Sequence, residues 1–244
     1  MTSNAMATPS STAKTPTTAS LITDTQDFVR QSLEGNDASH DYAHIERVYN
    51  VAMNIARQEN VTKEEYEIIA LSALLHDIAD WKYSGSETAG VEAAKNYLNN
   101  IPDFAQEKIT KICWIIQRVS FHDEIGRSAE EINKMKQDKC LCIVQDADRL
   151  DAIGAIGIAR CFTYGGKKKR PLYGANTENI VRKISKDDYM KAGRNAPTID
   201  HFYEKLLLLK DMMKTNGGKK IANQRHDFMV TYLQQFSNEV NGIC

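Results

Sequence analysis

The sequence lacks an excess of either charge sign and lacks any long apolar run. It holds 31 Lys and Arg residues against 32 Asp and Glu residues, for a formal net charge of −1. This balance gives no support for a general nucleic-acid binder or a membrane-surface binder, so we expect neither partner. No apolar stretch reaches the roughly 18 residues of a bilayer-spanning helix, so we expect no membrane segment. Any cationic binding site must therefore be local.

The cysteine pattern gives no support for a CxxC zinc site or a disulfide framework. There are five cysteines, an odd number, and none forms a CxxC pair with zinc-site spacing. The first residues contain no apolar segment typical of a secretory signal. We therefore expect reduced, mostly buried thiols in a cytoplasmic protein, with the nucleus as an alternative location.

Residues 1–20 contain no aromatic and no acidic side chain and are rich in Ser, Thr, Ala and Pro. Such a segment buries too little apolar area to offset its ordering entropy, which predicts a disordered tail. It has no arginine, whereas a mitochondrial transit peptide carries several. Residues 21–244 are long enough to form one domain with a substantial core.

From residue 21 onward the pattern is helical, with no convincing strand pair and no repeat. Apolar residues recur at spacings of three and four, as in Ile45, Val48, Ala52 and Ile55. Capping boxes at Thr62 and Ser128 and a proline at Pro102 mark helix starts. Besides a short helix after Ser128, the predicted helices are 24–34, 40–59, 62–78, 102–119, 139–162 (ended by Gly165-Gly166), 199–214 (capped by Thr198) and 218–238. The predicted fold class is all-α.

The segment 163–197 interrupts this helical pattern. It contains glycines, prolines and a basic cluster that begins at Lys167. A connection of this length is usually functional or disordered. It is either a solvated basic loop or a lid that carries cations such as Lys167 over a phosphate-bearing substrate.

The pair His76-Asp77 ends the apolar helical run LSALLHDIADW. Burying an imidazole and a carboxylate beside leucines is unfavourable unless a partner compensates them, and a divalent cation compensates both. Together with His44 and Asp148, two imidazoles and two carboxylates suit Mn²⁺, Fe²⁺, Co²⁺, Ni²⁺ or Zn²⁺ better than Mg²⁺. Four protein ligands in an octahedral shell leave two positions for water and substrate, as a catalytic site requires.

Several residues are candidates to act around this centre. Arg47 shares a helix face with His44 and would meet a metal-bound phosphate, or it forms a surface salt bridge. Asp80, one turn after Asp77, would act on the attacking water, or it only ends the helix. His201 and Lys205 share a helix face and could reach substrate phosphates, or that helix is simply amphipathic. Arg149 and Arg225 are candidates of the same kind.

These residues resemble the H…HD…D signature of the HD-domain metal-dependent phosphohydrolases. SHDYAHIERV, LLHDIADWK and IVQDADRLDAIGAIGIAR followed by TYGGKK look like the small stand-alone HD proteins of bacteria, fungi and plants. The resemblance covers about residues 24–238. It implies a single helical domain around one metal, held by His44, His76, Asp77 and Asp148, and Asp80 stands where one HD branch has an acidic residue acting on water.

The resemblance also implies a substrate class. Bacterial relatives of this subgroup are nucleotide pyrophosphohydrolases that act on nucleoside triphosphates and prefer Mn²⁺. We therefore expect a nucleoside or deoxynucleoside triphosphate pyrophosphohydrolase with manganese favoured. The alternatives are a deoxynucleoside 5′-monophosphatase and a non-catalytic nucleotide- or metal-binding module. A homodimer is expected only by analogy with the family.

Four assignments stay open at this point. A helix cannot point Asp146 and Asp148 the same way, so Asp146 is the alternative ligand to Asp148. Asp151 shares a face with Asp148 and either orients a ligand imidazole or binds substrate. His40 competes with His44, although it also lies at a helix start. His122 could support a second metal, but no further spaced histidines complete such a site.

Overall fold

The structure is a computed structural model, and it describes residues 16–34, 41–78, 88–124, 127–174 and 196–243. These residues contain helices and turns and no strand, which confirms the predicted all-α class. The α-helices, numbered α1 to α11, are Thr18–Ser32, Tyr42–Gln58, Lys63–Leu75, Ala89–Asn99, Gln106–Val119, Phe121–Glu124, Ala129–Lys136, Lys139–Asp151, Gly154–Lys167, Asp200–Glu204 and Asn216–Val240. A 3₁₀ helix, Leu206–Met212, lies between α10 and α11.

The core is built around α3 and α8. Helices α2 and α5 each pack on both of them, and α3 and α8 contact one another. Helix α3 is buried on all sides from Ile68 to Leu75, as expected for a helix without a polar stripe. Fully burying each such leucine or isoleucine contributes about 1.5–3 kcal/mol. The C-terminal end of α3, with the doublet that follows it, is therefore held inside the protein.

Local capping signals placed several helix starts correctly. In the capping boxes at Thr62 and Ser128, the glutamates Glu65 and Glu131 bond back to the cap residue, as predicted. The prediction of a disordered tail over residues 1–20 is wrong for its last residues, because α1 begins at Thr18. The hydroxyl of Thr17 caps this helix by accepting a hydrogen bond from Ser20 N. Residues 1–15 of that tail lie outside the described residues.

The predicted helix 139–162 is two helices. The chain turns at Ala152 and Ile153. Gly154 then adopts a φ of +77°, a left-handed backbone conformation that residues other than glycine rarely adopt. The prediction that Gly165-Gly166 ends this helix was also wrong. Gly165 lies within α9, where a Cβ would lie 2.3 Å from Thr198 Oγ1, so close packing explains this glycine. The non-helical part of the predicted lid therefore begins after Lys167, and residues 175–195 lie outside the described part of the chain.

Other predicted boundaries also differ from the structure. The helix expected over 199–214 breaks at Lys205, whose φ of −141° is not helical, and Thr198 does not cap it with its side chain. Helix α5 starts at Gln106 and not at Pro102, because a turn at 101–103 precedes it. Helix α3 ends at Leu75, three residues earlier than predicted, whereas α11 starts two residues earlier at Asn216.

The C-terminal helix closes the domain against α8 and α9. An aromatic cluster joins α9, α10 and α11. The ring centres of Phe162 and Phe202 are 6.0 Å apart, and the ring centre of Tyr232 is 6.2 Å from each of them. Among the described residues, no helix is both long and apolar enough to cross a bilayer.

Candidate metal centre

Three helices bring the predicted ligands together. His44 projects from the first turn of α2, Asp148 from the last turns of α8, and His76-Asp77 directly follows α3. His44 Nε2 lies 3.9 Å from an Asp77 oxygen and 3.6 Å from Asp148 Oδ1. His76 Nε2 lies 3.6 Å from the same Asp148 oxygen. Residues far apart in sequence therefore meet at one point because α2, α3 and α8 pack together.

The donor set fits a divalent cation. One ligand atom from each of His44, His76 and Asp77 lies within 4.8 Å of the others. Octahedral ligand atoms at about 2.1 Å from a shared ion are about 3.0–4.2 Å apart. The 3.6 and 3.9 Å distances between the imidazole nitrogens and the carboxylate oxygens fall in this range. His76 Nδ1 lies 2.9 Å from the Ala73 carbonyl, which can only accept, so this nitrogen carries the hydrogen. Among the described residues its buried Nε2 has no hydrogen-bond partner, which is costly unless a cation binds it.

The site has a buried side and an open side. The two imidazole side chains are only 2% and 5% exposed, whereas Asp77 is 19% and Asp148 25% exposed. The carboxylates therefore lie toward solvent, where a substrate can approach. This distribution is typical of a catalytic centre, since a structural metal site is closed on all sides.

The charges in the cluster depend on one another. Burial lowers the pKa of His44 below its ordinary value, so this ring is neutral near pH 7. Burial also opposes protonation of His76, but the Asp148 and Asp77 carboxylates outweigh it and raise its pKa to about 9. Burial raises the pKa of Asp148, yet the neighbouring His76 holds it well below its usual range. Without metal, the cluster therefore keeps a proton on His76 that a metal ion must displace.

Asp151 lies behind His44 and away from the open side. One of its oxygens is 2.7 Å from His44 Nδ1, and only 3% of its side chain is exposed. Arg47 donates to both carboxylate oxygens, at 2.7 and 3.0 Å. The guanidinium of Arg47 therefore forms the salt bridge that was the alternative to a phosphate contact, while its side chain stays 32% exposed, and a phosphate contact stays a prediction. The burial of Asp151 disfavours it as a substrate-binding residue.

Asp146 is not available as the alternative ligand. It accepts hydrogen bonds from Lys214 N and from the backbone and hydroxyl of Thr215, at 2.7 to 3.0 Å. These contacts hold the segment that starts α11. Helix geometry turns Asp146 away from the cluster while Asp148 faces it, so the structure favours Asp148.

The other candidate cations lie in different surroundings. Lys167 is exposed at the end of α9, and His201 is half-buried in α10. The Lys205 ammonium lies 4.8 Å from the centre of the Phe121 ring. Arg149 is buried and donates to Glu124 Oε2 at 2.6 Å, which argues against the expected substrate contact. Substrate roles for Lys167, His201 and Lys205 stay predictions.

Some predicted residues lie outside the described part of the chain. Asp80 and His40 belong to this group, and so does the side chain of His122. Their predicted roles therefore stay predictions.

Sequence reasoning missed Arg160. Its Nη1 donates to Asp151 Oδ2 at 2.9 Å, and 18% of its side chain is exposed. It lies in IGIAR, within a quoted motif, but beyond the helix break that no periodicity revealed. Arg225 was proposed as a substrate contact, and instead it donates to the Leu150 carbonyl near Asp151.

Comparison with known proteins agrees with this geometry. Residues 41–153, which include all four clustered residues, match the HD domain family. Bacillus subtilis YpgQ is 33% identical over 216 residues, covering 88% of this chain and 92% of YpgQ. The crystal structure of an HD-superfamily hydrolase from Bacillus thuringiensis superposes with a TM-score of 0.67 at 36% identity, covering 92% of this chain and 99% of the other. The crystal structure of B. subtilis YpgQ in complex with ADP superposes with a TM-score of 0.68 at 30% identity, covering 93% and 98%.

The match to the HD domain covers the three helices that carry the cluster, and the likeness to YpgQ and to the B. thuringiensis hydrolase extends over nearly the whole of each chain. The chain therefore belongs to the HD superfamily of hydrolases, which are metal-dependent phosphohydrolases.

Proposed function

We propose that this protein hydrolyses nucleoside or deoxynucleoside triphosphates to the monophosphate and pyrophosphate, with Mn²⁺ as the favoured metal. The observation that carries the proposal is the cluster of His44, His76, Asp77 and Asp148, whose imidazoles are buried and whose carboxylates are partly exposed. The YpgQ crystal structure with ADP supports a nucleotide as the ligand. Water adds to the α-phosphorus, pyrophosphate leaves, and the water's proton goes to solvent through a basic group.

The four clustered residues would hold the ion, which when bound polarises a phosphoryl oxygen and lowers the pKa of a bound water. The chain's own residues prepare the site. Leu74 and Leu75 are fully buried beside the doublet and exclude water from its inner side. Asp80 is the proposed residue that orients and deprotonates the attacking water.

Positive charge beside the cluster suits a polyphosphate. Two guanidiniums, those of Arg47 and Arg160, surround the single carboxylate of Asp151 and leave an excess of positive charge. Their side chains remain 32% and 18% exposed. Such a fixed positive field favours an anionic substrate and the charge that develops on its oxygens. Lys167, His201 and Lys205 stay proposed contacts to more distant phosphates.

The proposal is tested by a substrate screen on the full chain. The protein is stripped of metal with a chelator, reloaded with Mn²⁺, and given nucleoside triphosphates and deoxynucleoside monophosphates. Pyrophosphate release from a triphosphate supports the proposal. Phosphate release from monophosphates alone replaces it with the monophosphatase alternative. If no compound turns over with Mn²⁺, Fe²⁺, Co²⁺, Ni²⁺ or Zn²⁺, the chain is a binding module.

Two asparagine variants provide the control. Asp77→Asn removes a charged ligand and is expected to abolish turnover. Asp227→Asn makes the same chemical change on the exposed face of α11 and is expected to leave turnover unchanged. Equal activity in the two variants would show that the site is elsewhere. A cytoplasmic location and a homodimer stay proposals that this screen does not address.

A further inference from the structure

We propose that Asp151, clamped between Arg47 and Arg160, is a positioning residue that holds His44 in the orientation and tautomer needed to bind the metal. The proposal rests on the metal site described above and goes beyond it, because it assigns a role to residues that do not bind the ion. Of the two roles that the sequence left open for Asp151, it selects the orientation of an imidazole, and it gives Arg47 a part in holding that carboxylate.

The hydrogen bond to His44 sets the tautomer of the ring. An ionised carboxylate can only accept, so the short contact between His44 Nδ1 and Asp151 Oδ2 requires the hydrogen on Nδ1. The lone pair of Nε2 then points to the side where Asp77 and Asp148 lie. A carboxylate behind a ligand imidazole also makes the ring a stronger donor to a metal.

The two arginines keep Asp151 in the ionised form. Arg47 binds it through two nitrogens, and Arg160 adds a third donor at 2.9 Å. A buried carboxylate without such partners would be strongly destabilised. Four hydrogen bonds from three residues therefore engage both oxygens of Asp151.

The clamp depends on the helix break after α8. Asp151 is the last residue of α8, and Gly154 starts α9 with a left-handed backbone conformation. This turn brings Arg160 back toward Asp151, where Nη1 also approaches the Asp151 carbonyl at 3.4 Å. Three segments of the chain, α2, the end of α8 and the middle of α9, thus meet on one carboxylate.

A direct role with substrate does not fit Asp151. Its side chain is 3% exposed, compared with 25% for Asp148 on the same helix. Both of its oxygens are occupied by donors from the protein.

The test measures metal binding instead of turnover. Mn²⁺ affinity of the full chain is measured by electron paramagnetic resonance, and Co²⁺ absorption spectra report the ligand geometry. Asp151→Asn keeps the shape but places an amide NH₂ against His44 or an arginine. We expect Mn²⁺ to bind about 10- to 100-fold more weakly, with an altered Co²⁺ spectrum. Wild-type affinity and spectrum in this variant would overturn the proposal.

Glu124→Gln is the matched control. Glu124 is also a buried carboxylate paired with two cations, Arg149 and Lys214, but it has no described contact with the cluster. We expect it to lower stability while leaving Mn²⁺ affinity and the Co²⁺ spectrum unchanged. An equal loss of Mn²⁺ affinity in this variant would mean that any buried ion pair has this effect, which contradicts a positioning role.

A second variant serves if Asp151→Asn fails to fold. Arg160→Lys keeps the positive charge but loses the planar guanidinium, so a smaller loss of Mn²⁺ affinity in the same direction is expected. No change in Mn²⁺ affinity for Arg160→Lys would refute the clamp. A chain that binds Mn²⁺ as described but hydrolyses no nucleotide would refute the proposed function and leave the positioning role intact.

Discussion

Mn²⁺ binding should depend steeply on pH because of one proton on His76. The pKa of this residue in the metal-free protein is about 9, whereas a metal binds only the neutral ring. At pH 7 nearly every molecule carries this proton. Displacing it weakens binding about 100-fold, or about 2.7 kcal/mol, relative to pH above 9. Apparent affinity should therefore rise about tenfold for each pH unit between 6.5 and 8.5.

The proton itself can be counted. Titration calorimetry at pH 7 in two buffers of different ionisation enthalpy should show about one proton released per Mn²⁺ bound. His44 and Asp148 should release few protons on binding, because His44 has a lowered pKa and Asp148 is ionised throughout this pH range. His226→Gln removes a histidine of α11 and should keep the same slope. A flat affinity over this pH range with no proton released would refute the reasoning.

Two further predictions compare matched pairs of substitutions. Gly154→Ala should lower the free energy of unfolding in urea by at least about 1–2 kcal/mol, because φ is +77° and a Cβ would lie 2.9 Å from Arg225 Cγ. At Gly166 a Cβ would meet no described atom within 4 Å beyond its own helical turn, so Gly166→Ala should instead be neutral or stabilising by about 0.5–1 kcal/mol. Equal losses for the two variants would contradict this account. Asp146→Asn should destabilise the fold by about 1.5–3 kcal/mol yet keep Mn²⁺ affinity, whereas Asp148→Asn should lose Mn²⁺ binding. The opposite pattern of Mn²⁺ affinities would make Asp146 the ligand.

Helix starts were predictable where the signal is local. The capping boxes at Thr62 and Ser128 involve residues three apart, so neighbouring sequence carries the whole interaction. The helix breaks at Gly154 and Lys205 were missed. Gly154 packs against Arg225 on a distant helix, and this contact is not visible in any local pattern.

The candidate site was also predictable only in part. His44, His76, Asp77 and Asp148 were named from residue types and motif, and the structure brings them within a few ångströms. The sequence left Arg47 two roles, a phosphate contact on the face it shares with His44 or a surface salt bridge. The structure pairs it with Asp151, since a carboxylate that is buried needs cationic partners.

The sequence by itself determined an all-helical fold, because periodicity and caps are local signals. Its motifs pointed to His44, His76 and Asp77 and, through the resemblance to the HD family, to a phosphohydrolase. Only the tertiary structure decided which carboxylate of α8 faces the cluster and which supports it. Asp146, Asp148 and Asp151 lie within one helix, and their chemistry is the same. Their different roles come from the groups that packing sets beside each of them: the start of α11, the two imidazoles, and the pair of arginines.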